Sequence, residues 1–213
     1  MALRTMGIDP GLTRMGVGVV EQEGNRLTAL ACDTIVTSPA DPVAERLDAV
    51  FEALSAAVAL WRPDAVAVER IFYKMNARTL VPVAQASGVA LLVASRAGTE
   101  VYEYAPLEVK LAVVGTGSAS KDQMRFMVAR LLGGSFRTDT SDAADALAVA
   151  ICHLHSRKVR ALGGAPRCSP RCRGRSPRCR RPVPSWTSPG SGTSCTPPPR
   201  CSPDWGGGSR YAC

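Results

Sequence analysis

Ser141-Asp142-Ala143-Ala144-Asp145-Ala146-Leu147-Ala148-Val149-Ala150-Ile151-Cys152 is the stretch from which the fold of this 213-residue chain is read. From Ala146 to Cys152 every residue is apolar, so a helix here has no polar side and belongs in the interior. Asp142 and Asp145 stand at its first turn, three apart and therefore on one face. Two carboxylates carried into an apolar setting repel each other and take up protons unless a bound cation supplies the missing charge. A local reading competes with that one: Asp142 as the N-cap and Asp145 as its capping-box partner. The segment alone does not choose, and two further acids elsewhere in the chain bear on the choice.

Working outward, Met6-Gly7-Ile8-Asp9-Pro10-Gly11 ends a short apolar strand at an acid and turns at once. Thr13 to Val20 reads as a second strand, with Gly16 and Gly18 where close backbone approach is tolerated, and Arg26 to Thr37 as a third. Three strands joined by turns make an antiparallel meander. Pro42 opens a helix with apolar positions at Val43, Leu47, Val50, Phe51, Leu54 and Val58 that stops near Trp61-Arg62-Pro63. Asp64 to Glu69 follows as a strand, and a helix between strands makes a crossover with parallel pairing. Asp9 and Glu69 then end neighbouring strands at the sheet edge where open α/β folds place ligands. Each also has a local reading, Asp9 as a turn residue before Pro10 and Glu69 as a solvated strand terminus.

Beyond Glu69, residues 76 to 97 form a long helical pattern broken by Pro82, whose small residues Ala84, Ala86, Gly88 and Ala90 permit close packing against sheet or partner. A fifth strand over Glu100 to Tyr104, a short helix from Pro106 to Val114 and a Ser120-capped helix from Lys121 to Leu132 lead back to the acidic helix, which fades at His155-Ser156. The expectation is an α/β fold with a five-stranded mixed sheet flanked by helices. His153 and His155, at the far end of the acidic helix, are read as surface or packing residues.

Charge divides the chain. Residues 1 to 156 hold 14 Lys and Arg against 17 Asp and Glu, a net of −3, whereas residues 157 to 213 hold 12 against 1, a net of +11. The basic character therefore belongs to the last quarter, which also contains ten of the sixteen prolines and six of the eight cysteines. Its composition fits either a disordered basic tail or a segment read out of frame in a GC-rich gene. One folded domain over 1 to 156 followed by a tail over 157 to 213 is the expected organisation. Cys32 and Cys152 alone in the body suggest a reducing, cytoplasmic setting. A basic leader followed by an apolar run is missing, and no stretch approaches eighteen uninterrupted apolar residues, so secretion and membrane spanning are not expected.

Four acids within mutual reach need cations, and all-oxygen ligation favours Mg²⁺ or Mn²⁺ over zinc. A pair of such ions can activate water and stabilise both oxygens of a phosphodiester displacement. Basic residues follow Glu69 closely, so a body of net negative charge can still present a positive face to nucleic acid. Within that segment Phe72 and Tyr73 lie beside Arg70 and Lys74, an arrangement suited to stacking on an unpaired base.

Gly-Ile-Asp-Pro-Gly at 7 to 11, Val-Glu-Arg-Ile-Phe at 68 to 72, Val-Val-Gly-Thr-Gly-Ser-Ala at 113 to 119 and Asp-Ala-Ala-Asp-Ala-Leu-Ala at 142 to 148 closely resemble the RuvC family of Holliday-junction resolvases. The match runs in order from about residue 3 to residue 155. It implies a ribonuclease-H-like fold and a homodimer that cuts opposed strands of a four-way DNA junction with Mg²⁺ or Mn²⁺, two ions per subunit, in recombination and repair. It further implies that Asp9, Glu69, Asp142 and Asp145 are the catalytic, metal-binding set, that Phe72 faces the junction, that Lys110 and Lys121 face DNA phosphates, and that a branch-migration helicase complex is a partner. Other uses of this fold remain: a nuclease processing RNA or other branched DNA, or a junction-binding protein without activity. The latter expects disrupted acids, and all four are present. The Asp9-Pro10-Gly11 turn also resembles the phosphate loop of sugar-kinase and actin-like ATPases, whose duplicated second domain this length cannot hold.

Overall fold

A computed structural model of the chain describes residues 2–71, 77–133 and 140–162. Three antiparallel strands open it: β1 (Leu3–Asp9), β2 (Arg14–Glu23) and β3 (Arg26–Val36). Helix α1 (Val43–Trp61) crosses over to β4 (Ala65–Glu69), and α2 (Ala77–Arg96) crosses to β5 (Glu100–Tyr104). Then come α3 (Pro106–Val114), α4 (Lys121–Leu131) and α5 (Ser141–Leu162). The sheet order is β3-β2-β1-β4-β5, with β4 parallel to both β1 and β5. A five-stranded mixed sheet flanked by helices is what the hydrophobic pattern calls for.

The pleat sorts side chains between two layers. Met6 and Ile8 of β1 and Val66 and Val68 of β4 pack with α1 and α2 on one face. Ala67 and Tyr104 face the other, where α5, α3 and α4 gather. Helix α5 rests on this face with α3 and α4 packed against it in turn, and residues Ala146 to Cys152 are at most 1% exposed. Its apolar circumference is explained by that double cover. Leu147 and Ile151 alone each contribute ~1.5–3 kcal/mol on burial.

Glycines set how deeply α5 sits. Gly7 and Gly18 are cross-strand partners on β1 and β2. A Cβ at Gly7 would fall on the Ala146 carbonyl, one at Gly18 on the Leu147 side chain, and one at Gly16 on the Asp142 carbonyl. Backbone thus lies on backbone along the acidic half of α5. The turn after Asp9 is secured from α1, where the buried Arg46 donates to Thr37 Oγ1 at 2.9 Å and Thr13 Oγ1 at 2.8 Å.

Three local expectations change. Pro82 lies inside a continuous α2, where it removes one backbone donor near the start of a helix held by its buried face, and that does not break it. Helix α5 does not end at Ser156 but runs on to Leu162, six residues beyond the expected domain edge. The cap of α5 is Thr140, whose Oγ1 accepts from Ala143 N–H at 3.4 Å, so Asp142 lies inside the first turn and the capping reading of Asp142 is set aside. Phe72, Tyr73 and Lys74 lie outside the described residues, as does the chain after Leu162. Among the described residues no helix is long and apolar enough to cross a membrane.

Candidate active site

Parallel pairing of β1 with β4 runs to Ile8 and Val68, which puts Asp9 and Glu69 side by side at the ends of adjacent strands. Their carboxyl groups are hydrogen-bonded to each other. A bond between two carboxyls needs a proton, so the pair shares one and holds it more tightly than either acid would alone. Burial is the largest cause of the shift at Asp9, which with Glu69, Asp145 and Asp142 nearby is pushed up to about 8.

Glu69 is also raised, first by burial and then by Asp145, while its bond with Asp9 and the ammonium groups of Lys121 and Lys110 act in the opposite direction. Asp145 is raised by burial, with Asp142 adding to the effect and Lys121 and Arg125 opposing it. The three acids therefore form one electrostatic unit with Asp142 at its edge. Asp9, Glu69 and Asp145 line a cavity of about 280 Å³ together with Lys110 of α3, Lys121 of α4 and the apolar Val109, Met124, Ala148 and Val149. The walls are largely apolar, the floor is acidic and two lysines stand beside it.

The lysines are positioned by the caps of their helices. Glu108 Oε2 accepts from Ala105 N–H at 2.7 Å at the start of α3, and Ser120 and Gln123 exchange side-chain and backbone bonds of 2.8 and 3.2 Å at the start of α4. Asp142 is directed elsewhere, its Oδ2 at 2.7 Å from Arg14 Nε on β2. That arginine was not singled out in the sequence. The signal was there: Arg14, Gly16 and Gly18 alternate onto the face of β2 that α5 covers. Arg70 is exposed just past Glu69, its N–H bonded to Tyr104 O at 2.7 Å. Both histidines are used in packing, His153 buried with Nδ1 at 2.9 Å from the Tyr104 hydroxyl and His155 bonded to Ala112 O.

The donor set is one for a hard cation, since it consists of carboxylate oxygens whose burial leaves their charge uncompensated. Among the described residues no three His, Cys, Asp or Glu side chains converge tightly enough to hold an ion as they stand. Asp9 and Glu69 are bonded to each other, and Asp142 is paired with Arg14.

The profile of crossover junction endodeoxyribonuclease RuvC matches residues 5–153, a span that holds all four acids. The chain belongs to the RuvC family. The RuvC of Salinispora arenicola is 53% identical over 153 residues, covering 71% of this chain and 87% of the relative. That of Syntrophomonas wolfei is 46% identical over 157 residues, covering 74% and 91%. In three dimensions the chain is similar to Thermus thermophilus RuvC in complex with a Holliday junction substrate, with a TM-score of 0.69 and 36% identity over 74% of this chain and 96% of that one. The yeast mitochondrial Holliday junction resolvase Ydc2 shares the fold at 12% identity and a TM-score of 0.54. The RuvC sheet and helices are thus the ribonuclease-H-like arrangement that the motifs implied.

Proposed function

We propose that this protein resolves four-way DNA junctions by divalent-metal-dependent hydrolysis of phosphodiesters on opposed strands, as a homodimer acting in recombination and repair in the cytoplasm. The observation that carries the reading is the proton-sharing Asp9–Glu69 pair at the ends of two parallel strands, facing one cavity with Asp145, Lys110 and Lys121. Asp9, Glu69, Asp142 and Asp145 are the residues that would hold Mg²⁺ or Mn²⁺, and four carboxylates are enough for two ions. When bound, the metal would neutralise the acids, activate the attacking water and stabilise the leaving oxygen.

The chain's own groups do the remainder. Lys110 and Lys121 line the same cavity as the acids, and there they would hold the phosphate being cut. The apolar walls from Val109, Met124 and Val149 limit water around those charges, which strengthens every electrostatic contact made there. Arg70, Lys74 and the ring of Phe72, with Tyr73 beside it, follow Glu69 directly and would meet the same DNA. Stacking of Phe72 on a base unpaired at the exchange point is the contribution we assign to it, with Tyr73 in support. A helicase complex that migrates the junction is the partner such a nuclease would serve.

A synthetic four-way junction incubated with the protein is the test. Paired cuts with Mg²⁺ or Mn²⁺ are expected, abolished by chelation. Asp9→Asn, Glu69→Gln, Asp142→Asn and Asp145→Asn should each lower cleavage by about a hundredfold or more while junction binding in Ca²⁺ survives, because phosphate contacts outside the cluster supply most of the affinity. Undiminished cleavage by any of these variants would remove that acid from the catalytic set.

A further inference from the structure

Asp142 stands apart from the other three acids. It is not among the residues lining the cavity, and its Oδ2 is 2.7 Å from Arg14 Nε. The pair joins the first residue of β2 to the first turn of α5, and its geometry is fixed from below. Gly16, two residues past Arg14, has the Asp142 backbone directly over it, and Thr34, the cross-strand partner of Gly16, shares a hydroxyl hydrogen bond of 2.7 Å with Thr140. The first turn of α5 is thereby held at constant height and in reach of Arg14 without depending on the ion pair itself.

A carboxylate lone pair that accepts from a guanidinium is not available to a cation, and guanidinium and cation repel at that distance. The two therefore compete for Oδ2, one of the two oxygens that Asp142 can offer a cation. Arg14 keeps 47% of its side-chain surface exposed, so once displaced from Asp142 it has open solvent in which to meet a DNA phosphate. Arginine suits that second partner as well as the first, its planar fork matching carboxylate and phosphate alike.

Building on the cation site proposed above, we propose that Arg14 is a positioning residue that holds Asp142 outside the cluster and exchanges it for a DNA phosphate when the cation binds. The exchange couples metal loading to DNA contact: with no cation Arg14 is engaged by Asp142, and with one it is released to the DNA.

Mn²⁺ titrated into the full-length protein without DNA, with free ion counted by electron paramagnetic resonance, measures the first half. Arg14→Gln should bind Mn²⁺ about twofold to fivefold more tightly than the parent chain, the range set by a partly exposed ion pair. Arg14→Lys should fall between the two, and the same Arg14→Gln change placed on Asp142→Asn should alter Mn²⁺ affinity by less than about 1.5-fold, a ceiling that follows from losing the pair. The second half is read from junction binding: Arg14→Gln should lower the salt slope by about one ion in Ca²⁺ and leave it unchanged in chelator. Equal or weaker Mn²⁺ binding by Arg14→Gln overturns the proposal, as does a gain that persists on Asp142→Asn, since that would be a distant charge effect. Failure of the parent chain to bind Mn²⁺ at all would instead overturn the cation site on which the proposal rests.

Discussion

Asp9 is the residue whose ionisation matters most to the protein without metal. Its carboxyl is pushed up to about 8, chiefly by burial and next by Glu69. Between the ordinary carboxylate range and that value the native state holds a proton that the unfolded chain releases, so stability falls as pH rises through this window. In chelator the melting temperature should be lower at pH 8 than at pH 5. Asp9→Asn carries no such proton, and at pH 8 it should melt above the parent by at least about 5 °C, each kcal/mol being worth ~2–4 °C at this size. The gap should close near pH 5, and saturating Mg²⁺ should raise the parent and leave the variant little changed. A thermal scan across pH with and without Mg²⁺ measures all of this, and parallel curves for the two proteins would show that Asp9 is not the titrating group. The stacking role proposed for Phe72 makes a separate prediction. Its ring has no group useful in hydrolysis, so Phe72→Ala should reduce cleavage of four-way junctions about tenfold, at ~1.4 kcal/mol per factor of ten, with Mn²⁺ affinity and melting temperature held. If stability drops instead by the ~3–5 kcal/mol typical of a truncated core phenylalanine, the ring is packing and not stacking.

At the scale of elements, the site depends on how closely α5 lies on β1 and β2. Three of the four acids are placed by this contact, since Asp9 ends β1 while Asp142 and Asp145 begin α5. Gly7 and Gly16 meet α5 backbone, which cannot rotate aside as a flexible side chain does. Gly7→Ala should lift the helix, costing ~1–3 kcal/mol and lowering cleavage further than the loss of folded protein explains. Denaturant unfolding of Gly7→Ala beside junction cleavage measures both losses, and unchanged stability with unchanged cleavage would mean that α5 has slack over the sheet.

For the whole molecule the question is assembly. Among the described residues the chain has one acidic cluster, and the proposed pair of cuts on a two-fold junction calls for two clusters related by the same symmetry. Helix α2 is the surface we propose for that pairing: Val81, Ala84, Gln85, Gly88 and Leu92 are exposed in sequence along its outer side, with Val81 58% and Leu92 51% accessible. Small residues between two larger apolar ones let a second helix approach closely. Leu92→Glu should leave the melting temperature of the separated chain within a degree or two, as surface changes do, yet shift sedimentation from dimer to monomer and turn paired cuts into single nicks. A variant that still sediments as a dimer would move the interface to another face.

Much of this was determined by sequence alone, for a physical reason. Strand and helix periods are local, so the meander, the crossover to β4 and the burial of Ala146 to Cys152 follow from residues read a few at a time. The side-by-side placement of Asp9 and Glu69 was legible as well, because a helix between two strands leaves little choice but parallel pairing. Where α5 begins and ends was less so. Thr140 instead of Asp142 caps it, and the turns past Ser156 carry polar residues whose helical state shows no apolar period. Only tertiary structure decided which charges meet. Arg14 and Asp142 are 128 positions apart, and nothing in either neighbourhood names the other. Nor could spacing reveal that Lys110 and Lys121, from two different helices, would share one cavity with Glu69. Such contacts depend on how elements stack, and here the stacking height was set by glycines on the sheet, whose effect is felt only when a helix is laid over them.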